Sequence, residues 1–186
     1  MNAALIYVVG PSGVGKDSLL AWLRSNLPEH LPAHWAQRTI DRPRVPDGEA
    51  HESVTPAEFK RLLAAHSFAM HWQANGHQYG IRHVEIATLA QQQVFVNGSR
   101  EHLPNAARAF PGMGILHITA NKEVLRRRLL LRNRESLREI EQRLNRLIAI
   151  EPPAGCAFFE IQNNDSLEAS GQQLLQAVVS LKTGIK

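Results

Sequence analysis

Residues 10–18 read Gly-Pro-Ser-Gly-Val-Gly-Lys-Asp-Ser. The spacing Gly10-x-x-x-x-Gly15-Lys16 suits a loop that wraps an anion. Glycines let the backbone bend so that successive N–H groups point inward, and the lysine adds a mobile positive charge. The apolar run Ala4–Val9 precedes this loop. A helical pattern from Lys16 to about Leu27 follows it, and the positive end of that helix would face the same anion. Phosphate is the group that fits such a cradle, so Gly10, Pro11, Ser12, Gly13, Val14, Gly15, Lys16, Asp17 and Ser18 are expected to hold a nucleoside triphosphate. Loops of this kind usually follow the lysine with Ser or Thr, whose hydroxyl binds magnesium. Here Asp17 takes that place. A bare carboxylate beside phosphates is repelled by them, so Asp17 is expected to meet them across a Mg²⁺ ion. As a helix N-terminal charge alone it would contribute about 0.3–1 kcal/mol. The strand "VFVNGSR" ends in Asn97, Gly98, Ser99 and Arg100, where many nucleotide-hydrolysing folds carry a metal-binding Asp. The carboxylate missing from the strand end is thus present in the loop.

A second group of residues is cationic. Between Arg126 and Arg146 there are eight arginines and three glutamates, in a chain whose formal net charge is +4. Arg128 and Arg132 are four apart and share a helix face. Arg132 and Arg134 flank the turn at 132–136, and Arg143 stands on the next helix. Guanidinium forks match phosphate oxygens. The segment is therefore expected to be a hinged lid over a transferring phosphoryl group rather than a solvated face. A local cluster beside a phosphate loop points to a polyphosphate substrate, not to nucleic acid. Trp72 and Tyr79 read either as core or as a substrate platform. The histidines show no close metal-ligand pair in a helix, so no zinc site is expected, and Cys156, the single cysteine, cannot form an intrachain disulfide.

The elements that must position these groups follow from periodicity. Strands are expected at 4–9, 34–40, 114–120 and 157–161, a buried strand that runs into a polar loop at 94–100, and short strands around Asn75-Gly76 within 68–81. Helices are expected at 16–27, from Thr55 to about His66, at 82–91, 123–131, 137–150 and 166–181. Thr55-Pro56-Ala57-Glu58 has the spacing of a capping box with proline at the first helical position. Strands alternating with helices imply a parallel sheet covered on both faces. The expected fold is α/β, a three-layer P-loop nucleotide-binding fold over residues 1–186. Residues 41–81 would form a small substrate-binding insert, and about 126–146 an Arg-rich helical lid. Composition, 44% hydrophobic and 20% charged, is that of a soluble globular protein. No apolar run approaches the roughly 20 residues that span a bilayer. The N-terminus reads as a first strand rather than a signal peptide, so a cytoplasmic location without membrane partners is expected.

These pieces, "GPSGVGK", "TIDRPR…GE" at 39–49, "QYGI" at 78–81, the Arg-rich segment and "IQNNDSLEAS" at 161–170, resemble the guanylate kinase-like branch of the nucleoside monophosphate kinases. They span nearly the whole chain. Within that branch "GKDSL", "HWQANGHQYGI", "VFVNGSR" and "RNRES" look like the ribose 1,5-bisphosphate phosphokinase family of phosphonate operons. The resemblance implies ATP as phosphoryl donor, Mg²⁺, and a sugar phosphate acceptor that becomes 5-phospho-α-D-ribose 1-diphosphate. It also implies roles by position. Lys16, Arg128, Arg132, Arg134 and Arg143 would serve phosphoryl transfer. Asn163, Asn164 and Asp165 would border adenine. Arg42, Arg44, Trp72, Tyr79, Asn97, Ser99 and Arg100 would meet the acceptor. Guanine presents N1–H and N2–H donors and wants a carboxylate acceptor, yet no Asp or Glu lies between Glu58 and Glu85. His71, Trp72, Gln73, Asn75 and His77 occupy that stretch instead. The alternatives are a nucleoside monophosphate kinase and a non-catalytic kinase-like binding module; the intact Gly10, Gly15 and Lys16 weigh against the second.

Overall fold

The computed structural model describes residues 3–43, 50–132, 136–145 and 150–183, less the side chains of Arg132, Arg143 and Asn145. Five strands form one parallel sheet: β1 (Leu5–Val9), β2 (Ala33–Trp35), β7 (Gln93–Asn97), β8 (Gly114–Thr119) and β9 (Ala157–Gln162). Their order is β2-β7-β1-β8-β9, so the strand carrying the glycine loop lies at the centre. Side chains alternate across a strand, and β1 therefore feeds two cores. Ile6 and Val8 pack with Leu19 and Leu23 of α1 (Lys16–Asn26), Leu125 and Leu129 of α4 (Lys122–Arg132), and Leu174 and Val178 of α6 (Leu167–Thr183). Leu5, Tyr7 and Val9 face the opposite way, toward α3 (Leu103–Ala109) and a second sheet.

That second sheet has the order β4-β3-β6-β5 and comes from one contiguous stretch of chain. Its strands are β3 (Arg38–Ile40), β4 (Glu52–Ser53), β5 (Phe68–Ala74) and β6 (His77–Arg82), with α2 (Pro56–Ala64) between β4 and β5. The β5–β6 turn uses Asn75 at φ 50° and Gly76 at φ 78°, the pair of positive φ values that a two-residue hairpin needs. Thr55 caps α2, its hydroxyl accepting from the Glu58 amide at 3.1 Å. The remaining helix, α5 (Leu137–Asn145), buries Ile140 and Leu144 beside α4.

Two expectations are corrected, and one element is new. The run at 34–40 is not one strand: β2 and β3 belong to different sheets, and the chain crosses between them at Ala36–Gln37. The helix expected at 82–91 shrinks to one 3₁₀ turn, His83–Ile86. Arg82 ends β6, and the chain turns tightly through bonds three residues apart, from Ala87 to Val84, Leu89 to Ile86 and Gln91 to Thr88. Helix α3 went unread because Leu103 and Ala106 are its only buried apolar residues. Among the described residues no helix is long and apolar enough to cross a membrane.

Candidate active site

β1 delivers the chain into the loop at residues 10–15, and Gly15 opens α1 at φ 92° with no side-chain cap. The loop is held from three sides. A Cβ on Gly10 would meet the Ile118 carbonyl oxygen at 2.4 Å, one on Gly13 the Leu129 side chain at 2.8 Å, and one on Gly15 the Asn163 amide nitrogen at 2.6 Å. Lys16 turns back over the arch, its Nζ donating to the Gly10 carbonyl at 2.9 Å. The ammonium thus lies against the loop's own backbone.

The Val14 carbonyl is the anchor. Asn163 Nδ2 donates to it at 2.7 Å and Arg128 Nη1 at 3.2 Å, while the same Arg128 nitrogen donates to the Asn163 carbonyl at 2.9 Å. Asn163 is itself buried and fixed to the end of β8 through the Thr119 carbonyl. Arg128, expected as a transfer-site group on the lid, is in this geometry a brace between α4, the loop and the segment after β9. Asn163, expected at the adenine, holds the same carbonyl. Both still line a cleft of about 330 Å³ with Gly13, Gly15, Ser18, Leu131 and Leu167. Asn164 Oδ1 accepts from the Asn121 amide at 2.7 Å, and Asp165 is exposed. Arg128→Ala is expected to raise the KM for ATP on the order of tenfold, since a charged donor to buried carbonyls is lost. An ATP titration checks this; an unchanged KM would mean that Asn163 alone keeps the loop in shape.

Asp17 and Asn97 meet: Asn97 Nδ2 donates to Asp17 Oδ1 at 3.1 Å. The loop carboxylate and the strand-end amide therefore share one locus. Asp17 and Ser18 are both exposed there. A hard cation that keeps most of its own waters takes one carboxylate plus phosphate oxygens, and this donor set suits Mg²⁺.

The acceptor-side residues are distributed differently from the expectation. Trp72 and Tyr79 face each other across β5 and β6 and stack at 5.6 Å with 6° between planes. At 7% and 5% exposure they are core, not an open platform. The Arg38 guanidinium lies over the Tyr79 ring at 5.3 Å, a contact that the sequence did not flag. Arg42 follows β3, its carbonyl accepting from the Ser53 hydroxyl at 2.6 Å. Arg100 is half-buried, and desolvation lowers its pKa. Arg44 and Arg134 lie outside the described residues, as do the side chains of Arg132 and Arg143.

The carboxylates around the second sheet are engaged. Glu52 accepts from Arg82 at 2.8 and 2.6 Å and from the Thr39 hydroxyl at 2.6 Å. Asp41 Oδ1 accepts from the Gln78 amide at 2.9 Å and lies 3.2 Å from His77 Nδ1. Glu85 Oε2 accepts from the Gln37 amide and contacts His34 Nε2, both at 2.8 Å.

The family model described as guanylate kinase matches residues 2–181. Curated relatives named ribose 1,5-bisphosphate phosphokinase PhnN are similar over most of the chain. The protein of Thiobacillus denitrificans is 39% identical, with 92% of this chain and 90% of that one covered. The protein of Pseudomonas fluorescens is 40% identical, with 94% of each covered. The relative from a Janthinobacterium species is 41% identical over 97% of this chain, which spans only 40% of that protein's length. Among solved structures, a guanylate kinase from Anaplasma phagocytophilum superposes with a TM-score of 0.64, covering 99% of this chain and 87% of that one, at 14% identity. That likeness speaks for the fold alone.

Proposed function

We propose, from the premise that this chain belongs to the guanylate kinase family, that it is a kinase transferring the γ-phosphoryl group of ATP to ribose 1,5-bisphosphate. The products are ADP and 5-phospho-α-D-ribose 1-diphosphate. The near full-length relatives at about two-fifths identity support this acceptor. The observation that carries it is the state of the second sheet's carboxylates. Glu52, Asp41 and Glu85 each already accept from protein donors. A carboxylate so engaged is a poorer partner for the N1–H and N2–H of guanine, and residues 59–84 carry no Asp or Glu at all. Arginines, histidines and amides remain, and these suit phosphate and sugar hydroxyls.

The chemistry needs positioning and charge more than covalent help. An oxygen of the acceptor's 1-phosphate attacks the γ-phosphorus, and the bond from that phosphorus to the β–γ bridging oxygen breaks. Phosphate has its second pKa near 6, so the nucleophile is ionised at neutral pH and needs no general base. The obstacle is the approach of two polyanions. The loop amides and Lys16 hold the β- and γ-phosphates. Asp17, with Ser18 beside it, would hold Mg²⁺, whose charge lowers the mutual repulsion. Arg42, Arg44, Asn97, Ser99 and Arg100 orient the acceptor, and Arg132, Arg134 and Arg143 come over the transferring group as the lid closes. Closure excludes water, which would otherwise take the phosphoryl group. For a kinase of ATP and a free sugar phosphate we infer a cytoplasmic setting.

The test is phosphoryl transfer from ATP to ribose 1,5-bisphosphate and to GMP side by side. The sugar bisphosphate is expected to have the larger kcat/KM, on the order of 10²-fold or more, because a site without the matching acceptor leaves guanine's donors unpaired. Comparable constants would overturn the reading.

A further inference from the structure

Tyr7 sits in the middle strand of the parallel sheet, wholly buried, three residues before the glycine loop. Its side chain is turned toward the second sheet, and its hydroxyl has two partners. The Ser99 amide donates to it at 3.2 Å, and His102 Nδ1 lies at 3.0 Å. With the Ser99 N–H donating to the phenol oxygen, the phenol O–H is free to donate to Nδ1, the arrangement in which His102 is the neutral Nε2–H tautomer. Burial, then the neighbouring His71, lowers the His102 pKa, and burial raises that of Tyr7. Both shifts favour this neutral pair. The ring itself is a floor. A Cβ on Gly98 would lie 2.0 Å from Tyr7 Cζ, so the chain can cross the phenol only as glycine. The turn laid on that floor runs from Asn97, which reaches Asp17, to Arg100. His102 then stacks on Trp72 at 5.2 Å, and Trp72 on Tyr79.

We propose that Tyr7, through its hydroxyl and His102, is a positioning residue that sets the shape of the acceptor turn 97–100 relative to the phosphate loop. One phenol ties three parts together: the strand that carries the loop, the turn after β7 and the aromatic stack of the second sheet. The turn's register against ATP is therefore fixed from below, by groups that touch neither substrate. The proposal rests on the reading that Asn97, Ser99 and Arg100 meet the acceptor.

Tyr7→Phe keeps the ring and removes the bond. His102→Phe keeps the stack on Trp72 and removes the acceptor nitrogen, while His102→Asn returns an acceptor oxygen near the place of Nδ1. Tyr7→Phe and His102→Phe are expected to raise the acceptor KM on the order of tenfold while the KM for ATP stays within about twofold, with His102→Asn recovering most of the loss. Hydrogen exchange at the Ser99 amide is expected to quicken on the order of tenfold in Tyr7→Phe without change at the β1 and β7 amides. The exchange readout does not depend on which acceptor the enzyme uses. If the wild type phosphorylates GMP instead, the substrate reading fails, and the acceptor KM is read with GMP. Unchanged exchange at Ser99, or equal shifts of both KM values, would overturn the proposal. So would a His102→Asn enzyme as impaired as His102→Phe.

Discussion

Lys16→Ala is expected to lower kcat on the order of 10³-fold, at any magnesium concentration, in a protein that still folds. The size follows from the loss of a preorganised charge at the transferring phosphoryl group, comparable to loss of a transition-state arginine or oxyanion donor. Folding is spared because α1 is anchored by Leu19 and Leu23, which the substitution leaves in place. The Lys16 ammonium is bonded only 2.9 Å from the Gly10 carbonyl, so it need not travel far to meet phosphate. Lys16→Arg is expected to fail as well, since a planar fork does not replace a compact ammonium inside a narrow arch. Single-turnover transfer from ATP measures the effect. A rate within about tenfold of the wild type would remove Lys16 from the transfer machinery.

Asp17→Asn is expected to raise the magnesium concentration at half-maximal rate on the order of tenfold or more, with Mn²⁺ restoring part of the rate. The substitution is clean because the amide oxygen of Asn can still accept the bond that Asn97 Nδ2 gives to Asp17 Oδ1. Only the charge is lost. A second readout is the rise in melting temperature on adding ADP with magnesium, expected to shrink in the variant, because a ligand bound only by the folded state stabilises it. If Asp17 were only a charge at the start of α1, the change would cost under about 1 kcal/mol and leave the magnesium midpoint where it was. That result would refute the moved carboxylate and leave the kinase reading standing.

The geometry of the glycine loop was legible because its pattern is local. The spacing of Gly10, Gly15 and Lys16 marks a tight loop that opens a helix, and the apolar run before them reads as the buried strand that β1 is. The Asp17–Asn97 pair was legible through an absence, the carboxylate missing at the end of β7. The brace at Val14 was not, because Arg128 and Asn163 arrive from 114 and 149 residues away and neither sits in a pattern that points to a carbonyl. Tyr7 and His102 were invisible for the same reason: a lone aromatic in a strand reads as core, and it is core, except for one oxygen. The single strand expected at 34–40 failed on a different ground. Its residues suit extended chain throughout, and pattern alone does not reveal that the second half pairs with other strands. The substrate class came from resemblance; the engaged carboxylates of the second sheet then supplied a physical reason for it.

The two ends of the second sheet's segment share one carboxylate. Where the chain leaves β2, the Gln37 amide and His34 both contact Glu85, and Glu85 lies just after the chain leaves β6. Everything between, residues 38–82, departs and returns at a single clasp. A segment with adjoining ends can be lengthened, shortened or replaced without retracing the path of the rest, as inserted domains are. In evolutionary terms the segment is a cartridge. A lineage could exchange that stretch as a unit, provided that the clasp survived and the glycine loop was left alone.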